Sequence, residues 1–573
     1  MASSVRQPAL LGIDVGTSAV KLLLYFLGDA RPRAERIRVS RARLDVSHPH
    51  PGWSEIDPKA WWHGIRRAAK RLDLSDAQVL GIGTSTLFPA LVPLVGGRQP
   101  ARPAILYNDA RSAAEVEDLA SSPLTHPALI HLLTGNLVRP GTIALSSMLW
   151  MRKHEPDLFD RVRHWGLAGS YVGLRLTERW AADASSASLT GLYATASGWA
   201  WLNGVFRASG VAPDQLPRDP TGMTYGQYLD LVARGRPGLR ERAMADVPPG
   251  FDLSAHLDQP VSLPERGWVP GLCDALGIDR RWLPEVLWPT ERLFEGLAPM
   301  AARTLGLEPG IPVAVGAGDT VCGALGLGLT EESEATLTCG STDCLTSFHR
   351  TAAFSTQTCN MTYMDDETWL SVAPMNTTGA AVDWFVGNFI GLGPKRFDRF
   401  FGRAAEAPAG SRGLVFLPYL AGERSPVYDP RAKGVFFGLT LQTGAAEMCR
   451  AVLEGIAFGH RQLLQMADLR LGRPVERVLA AGGGAAHPLG RQVRADAADR
   501  PYLYADLPEV SAFGAALLGG VAAGVFPTWQ DAAAEARRFV RFTEVRPNPD
   551  GWHKLKHNFE VYSSLYEALK HCF

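Results

Sequence analysis

An excess of charge of either sign is missing from this chain: Lys and Arg number 58, Asp and Glu number 58, and the formal net charge is +0. A nucleic-acid binder carries a basic excess to neutralise phosphates, so no nucleic-acid partner is expected. Long apolar runs are missing too. None approaches the ~18 residues of a transmembrane helix, and no membrane partner is expected. The opening stretch Met1–Pro8 is polar and lacks the apolar core of a secretory leader. The 7 cysteines are odd in number and scattered, with no CxxC pair and no metal-ligand spacing. Reduced thiols in a cytoplasmic protein are the simplest expectation. The pattern GxxxxGK[ST] is absent, which excludes a Walker-type phosphate loop.

What is there is an ordinary globular composition: 573 residues, 46% hydrophobic and 20% charged. That is enough chain for more than one domain. Residues 9–26 form two apolar runs around Gly16-Thr17-Ser18, a hairpin pattern with a polar tip. Residues 335–348 repeat it around Gly340-Ser341-Thr342. Two such hairpins suggest two lobes of related design, or a chance similarity of short motifs. Between them, apolar runs alternate with helical patterns, as in α/β proteins. Helices are expected at 115–121, 148–164 and 300–306, and an insertion or elaborated loop at about 205–265, which is rich in Pro, Gly, Arg and Asp. Glu447–Met466 has the apolar period of an amphipathic helix, Val478–Ala480 reads as a strand, and Ser511–Val525 as a helix of small residues.

Three segments can carry chemistry. Asp14-Val15-Gly16-Thr17-Ser18 combines a carboxylate able to hold Mg²⁺ with a tight turn and hydroxyl donors, or is a plain hairpin turn. Asp319 stands in the glycine-rich Gly316-Ala317-Gly318-Asp319-Thr320, where a carboxylate could orient an attacking hydroxyl or merely cap a helix. Gly482-Gly483-Gly484 is a bare strand-to-helix corner open to a flat base or a phosphate, or a structural turn.

The succession of these segments resembles the FGGY carbohydrate kinases. The resemblance covers roughly residues 9–525, less the 205–265 insertion. It is strongest at Gly434–Leu439 through Glu454, and includes Gly422-Glu423-Arg424-Ser425-Pro426, Pro51–Pro58 with Trp61-Trp62, and Tyr107-Asn108-Asp109-Ala110-Arg111. It implies an α/β protein with the two-lobed actin-like ATPase (ribonuclease H-like) fold, its duplicated domains flanking an interlobe cleft. On that pattern an N-terminal sugar-site lobe spans 1–318, a C-terminal nucleotide-site lobe 319–530, and a surface tail 531–573. The implied reaction is transfer of the ATP γ-phosphoryl group to a sugar or polyol hydroxyl.

The roles implied by the resemblance are these. Asp319 is the catalytic base and, with Thr320, touches the acceptor. Asp14 holds Mg²⁺. Gly16, Thr17, Ser18, Gly340 and Ser341 receive the phosphates, while Gly379, Ala380, Gly482, Gly483 and Gly484 receive the adenosine. Phe88, Tyr107 and Asp109 line the acceptor site. A homodimer is compatible with the family. A xylulokinase-like pentulose kinase is the leading expectation. The alternatives are a kinase of another polyol, a cyclitol or an autoinducer-like sugar, or from another class a non-catalytic sugar/ATP sensor or a chaperone-like ATPase. The chain departs from the xylulokinase-like pattern at expected acceptor positions. A Met-His pair is replaced within Thr86-Leu87-Phe88-Pro89-Ala90, Tyr107 stands where many members have Trp, and Ser147 replaces a Lys.

Overall fold

The computed structural model describes residues 6–121, 125–196, 224, 226, 227, 230, 266–293, 295–352 and 354–573. The insertion expected at about 205–265 lies, apart from a few single positions, outside the described residues. The chain forms two compact units that are not linear stretches. The first contains Met1–Cys322, Arg350–Leu370 and Ser511–Ala532; the second contains Gly323–His349, Ser371–Val510 and Ala533–Phe573.

The first unit is built on a sheet in which β1 (Gln7–Val15) lies between β2 (Ala19–Phe26) and β4 (Ala77–Thr86), with β3 (Ile37–Arg43) beyond β2 at the edge. The hairpin expected at 9–26 is β1–β2, and its antiparallel register pairs Asp14 with Lys21. β4 runs parallel to β1 and sets Gly83 beside Gly12 and Ser85 beside Asp14. Further along the chain, β5 (Leu91–Gly96) and β6 (Ala104–Ile105) pair antiparallel with Leu91 opposite Ile105. β7 (Val313–Ala314) and β8 (Ala317–Gly318) both join β4 in parallel. Leu11, Ile13, Val15, Val20, Leu22 and Leu24 are all at or below 1% exposure in one core with Trp61. Each such side chain contributes roughly 1.5–3 kcal/mol on burial.

The second unit repeats the device. β9 (Glu334–Cys339) and β10 (Asp343–His349) make the second expected hairpin. β11 (Arg477–Ala481) lies parallel to β9, then β12 (Tyr502–Ala505) follows in parallel and β13 (Phe542–Val545) antiparallel. Of the stretch 531–573, expected over the surface, Ala533–Phe573 is an integral part of this unit: β13 extends the sheet, and the helix Gly551–Leu569 buries Leu555, Phe559, Tyr562 and Leu565 in the core. Those four positions recur at the helical period, so one face of the helix is apolar and must be covered.

The helices needed below are α1 (Ala144–His154), α2 (Asp319–Gly326), α3 (Gly379–Phe385), α4 (Ala445–Leu471), α5 (Pro488–Ala498) and α6 (Val510–Ala522). The continuous helix expected over 148–164 is broken. α1 ends at His154, Glu155 leaves the helical region at φ −132 and ψ 52, a short helix covers Pro156–Phe159, and a strand begins at His164. Pro156 disfavours helical geometry in the residue before it and has no N–H to donate. The small-residue helix α6 lies directly on the first sheet. A Cβ at Gly12 would stand 1.9 Å from the Ala512 carbonyl oxygen, one at Gly83 1.9 Å from that of Ala515, and one at Gly81 2.2 Å from that of Gly519. Three strand glycines thus meet one face of the helix, backbone against backbone.

Candidate active site

In the first unit the carboxyl ends of three adjacent strands bring together the residues expected to carry chemistry. The registers Asp14↔Ser85, Ala317↔Ser85 and Gly318↔Thr86 bring the ends of β1, β4 and β8 level, and Asp319 follows β8 as the first residue of α2. Ligands of open α/β sheets collect beyond such ends. Asp14 is 4% exposed; its carboxylate accepts from Ser85 Oγ at 2.7 Å and pairs with Lys21 Nζ at 3.4 Å. Gly16 and Thr17 at the hairpin tip are half-buried and Ser18 is exposed.

Asp319 Oδ1 accepts from Thr320 N at 2.7 Å and Thr320 Oγ1 at 3.3 Å, and Ser511 Oγ at the start of α6 donates to the Asp319 carbonyl at 3.0 Å. Burial first, and then the charge of Asp14, push the Asp319 carboxyl up to about 6, against the Thr320 hydrogen bonds and Lys21. A carboxylate so placed is ionised at neutral pH yet more basic than an ordinary Asp. Cys322, one turn along α2, is fully buried against the Thr84 and Ala317 carbonyls, and burial drives its thiol well up. It is a core thiol, not a nucleophile.

Phe88 joins this group. Its half-buried ring lies on the backbone before Asp319, so that a Cβ at Gly318 would meet ring carbons at 2.1 Å. Tyr107 is half-buried in the turn that follows β6, where Leu106 N donates to the Ser54 carbonyl and Asp109 N to the Leu106 carbonyl. Beside Tyr107, Asp109 is 2% exposed and spends its carboxylate on the loop itself. Oδ1 accepts from Arg111 N and Nε at 2.9 and 2.8 Å; Oδ2 accepts from Ser54 N and Arg111 Nη2 at 2.6 and 2.7 Å. Asp109 therefore frames the loop, and its expected contact with an acceptor would act through that frame. Next to it lies a groove of about 490 Å³ lined by His48, His50, Trp53, Ser54 and Asn108 among others.

In the second unit the three expected nucleotide elements converge on Cys339–Ser341. A Cβ at Gly379 would stand 2.2 Å from the Gly340 carbonyl oxygen, one at Gly482 (φ +104) 2.2 Å from that of Cys339, and one at Gly484 3.3 Å from the Cys339 Cβ. Thr378 N and Ala380 N donate to the Ser341 carbonyl at 3.2 and 3.0 Å. Ser341, Gly483 and Gly484 are exposed, while Gly340, Gly379, Ala380 and Gly482 are half-buried. Beneath them sits Asp343, which sequence reasoning missed. Its Oδ1 accepts from Gly340 N at 3.0 Å and Thr378 Oγ1 at 2.7 Å; its Oδ2 faces His460 Nε2 at 2.9 Å and Arg494 Nη2 at 3.7 Å. Glu423, in the Gly-Glu-Arg-Ser-Pro segment, pins the chain before α3 by accepting from Asn376 N and Arg424 N at 2.6 and 2.8 Å.

Hairpin, glycine-flanked Asp, second hairpin and glycine corner are thus spatial constellations as well as a sequence order, and comparison with known proteins gives the same arrangement a family. The N-terminal domain of the FGGY family of carbohydrate kinases matches residues 9–239 and 259–326, and the C-terminal domain matches 335–523. The chain belongs to that family. It is 30% identical over 521 residues to a xylulose kinase of Escherichia coli, covering 90% of each chain. To a gluconokinase of Bacillus subtilis it is 23% identical, covering 97% of this chain and 96% of that one. Among solved structures, a xylulose kinase from Lactobacillus acidophilus superposes with TM-score 0.76 at 22% identity, covering 98% of both chains. A gluconate kinase from the same organism gives 0.77 at 21% identity, again covering 98% of both. The chain has the two-domain actin-like ATPase fold of these kinases and is a carbohydrate kinase with ATP as phosphoryl donor. The two structural likenesses are nearly equal although the two enzymes are named for different sugars. Among the described residues no helix is long and apolar enough to cross a membrane.

Proposed function

We propose that this carbohydrate kinase phosphorylates a pentulose, with Asp319 as the base that accepts the proton of the attacking hydroxyl. The observation that carries the catalytic part is the Asp319 carboxyl, raised to about 6 beside Asp14 at the ends of β1, β4 and β8. A general base works best when its pKa lies near the operating pH. The hairpin tips Gly16-Thr17-Ser18 and Gly340-Ser341 would hold the phosphates, and Gly379, Ala380 and Gly482–Gly484 the adenosine. Phosphoryl transfer asks little covalent chemistry of the protein, so positioning and charge do most of the catalytic work.

Mg²⁺ fits the donor set. Among the described residues no group of three or more His, Cys, Asp or Glu is arranged as a cage for a metal. Mg²⁺ bound with nucleotide needs no cage, because one or two carboxylates suffice when phosphates and waters complete the shell. Asp14 would hold it, oriented by Ser85; when bound, the ion supplies neutralisation of phosphate charge.

The names of the curated relatives support the pentulose. One observation favours a second reading. The Phe88 ring lies against Gly318, and Leu87 and Pro89 are buried, so that these three side chains offer no hydrogen-bond donor beside Asp319. Leaving an acceptor hydroxyl unpaired there would cost about 1–3 kcal/mol, or about 5- to 150-fold in preference. A deoxy, shorter, branched or cyclic acceptor would then exceed D-xylulose. A coupled ADP-release assay over D-xylulose, D-ribulose, glycerol, gluconate and cyclitols decides between them. The highest kcat/KM on a pentulose is expected; a polyol, gluconate or cyclitol at the top would overturn the pentulose assignment.

A further inference from the structure

We infer that Asp343 and Arg494 form a buried charge pair that sets the geometry of the nucleotide cradle, making both of them positioning residues for ATP. The inference rests on the reading of the Gly340-Ser341 hairpin as the phosphate-receiving element. The three parts of that cradle come from distant stretches of chain, and each is tied to this pair. Asp343 Oδ1 accepts from Gly340 N at 3.0 Å, which fixes the bend of the hairpin tip. The same oxygen accepts from Thr378 Oγ1 at 2.7 Å, which fixes the residue before α3. Arg494, on α5, donates from Nη2 to the Gly484 carbonyl at 3.2 Å, which fixes the glycine corner. The two side chains face each other, with Arg494 Nη2 3.7 Å from Asp343 Oδ2 and His460 Nε2 of α4 at 2.9 Å from the same oxygen. Asp343 is 1% exposed and the Arg494 side chain 11%, so neither charge is shared with bulk water.

The chemistry explains why the pair is charged. One carboxylate oxygen accepts from a backbone N–H and a hydroxyl at once, and leaves the other oxygen facing the Arg494 guanidinium and the His460 ring. A buried anion below a site for a triphosphate would repel it, and the guanidinium cancels that repulsion. Burial alone would raise the Asp343 carboxyl, but His460, Arg494 and Thr378 hold it lowered, while burial keeps His460 lowered and neutral. The pair is therefore one anion and one cation with a neutral imidazole beside them.

The two halves differ in what their loss leaves behind. Arg494→Gln frees the glycine corner and leaves an uncompensated anion. The expected result is KM for ATP raised roughly 10- to 100-fold with KM for the sugar within about twofold of wild type. Adding Asp343→Asn removes that anion, so the double variant should bind ATP about tenfold better than Arg494→Gln alone, a recovery that a merely structural role does not give. Steady-state kinetics with each substrate varied, calorimetric titration with Mg-ADP and a thermal melt on the full chain read all of this. Equal rises in both KM values, or a double variant no better than Arg494→Gln, overturns the inference. Gly379→Ala separates it from the reading beneath it, because the added Cβ would stand 2.2 Å from the Gly340 carbonyl oxygen. If Gly379→Ala binds Mg-ADP as wild type does, the hairpin reading fails and the inference with it. If Gly379→Ala abolishes binding while Arg494→Gln leaves KM for ATP unchanged, the pair alone is refuted.

Discussion

Replacing Asp319 by Asn should destroy turnover and stabilise the protein at the same time. The Asp319 carboxyl stands at about 6 in the folded chain against 3.8 for an ordinary Asp, raised chiefly by burial and then by Asp14. A raised carboxyl means that the folded state prefers the protonated form. Its relative stability is therefore highest below pH 3.8 and declines as pH rises through 6, where the folded protein carries a carboxylate it holds less well than water does. At about 1.4 kcal/mol per pKa unit, a rise of roughly two units costs the folded state up to about 3 kcal/mol at neutral pH. Asn is nearly isosteric, keeps an oxygen to accept from Thr320 N, and cannot ionise. Asp319→Asn is accordingly expected to gain up to about 3 kcal/mol in urea unfolding at pH 7.5, less at pH 5, and only about 0.5 kcal/mol at pH 4. Its turnover should fall about 10²- to 10⁴-fold with Mg-ATP binding retained, since a positioned base is lost and the nucleotide elements are untouched. The wild-type kcat/KM should fall below about pH 6 as the base is protonated. Near-wild-type turnover would refute Asp319 as the base, and unchanged or reduced stability at pH 7.5 would refute the electrostatic account of its raised carboxyl.

Asp14→Asn should raise the Mg²⁺ concentration needed for half-maximal activity and move the acid limb of kcat/KM to lower pH, because the Asp14 charge helps hold Asp319 up; a metal titration and pH profile matching wild type would leave the first hairpin purely structural. Gly83→Ala puts a methyl 1.9 Å from the Ala515 carbonyl oxygen and should destabilise by about 1–3 kcal/mol or more in urea unfolding, with no gain possible from filled space. Phe88→His restores a donor beside Gly318 and should raise kcat/KM for D-xylulose about 5- to 150-fold relative to a deoxypentulose; an unchanged ratio would show that the loop does not select the acceptor.

The parts of the fold that local physics dictates were legible in the chain. Gly16-Thr17-Ser18 and Gly340-Ser341-Thr342 punctuate alternating apolar runs, and both became hairpin tips. The small-residue pattern of Ser511–Val525 signalled close packing, and the strand glycines it packs on are Gly12, Gly81 and Gly83. The helix expected through 164 failed because its apolar pattern runs on past Pro156, while the backbone cannot. Asp343, His460 and Arg494 escaped notice for a different reason. They stand far apart in sequence, Asp343 in the second hairpin but His460 and Arg494 outside every segment singled out for chemistry, and only the registers of β9 with β10 and β11 bring α4 and α5 over the same carboxylate. Asp109 was visible as a residue but not as a frame, since its partners Ser54 and Arg111 declare themselves only through geometry.

Reaction and acceptor differ in how firmly the chain specifies them, and the difference follows from where each is built. Asp14 and Asp319 stand at the ends of strands whose register is fixed by the pairing Asp14↔Ser85 and Gly318↔Thr86, so shifting either would unmake the sheet. The acceptor positions stand on loops that hold their own shape. Asp109 receives four hydrogen bonds, two oxygens each taking two, and the Arg111 guanidinium lies 3.8 Å over Trp53 while also pairing with Glu55 at 2.6 Å. A loop braced by its own residues tolerates a changed side chain at its edge without moving Asp319, the proposed base. Phe88 is such an edge: its ring fills the space that a Cβ on Gly318 would occupy. Evolution of a new acceptor preference therefore needs no change in the strand ends, and kinases of different sugars can share this fold at equal structural likeness.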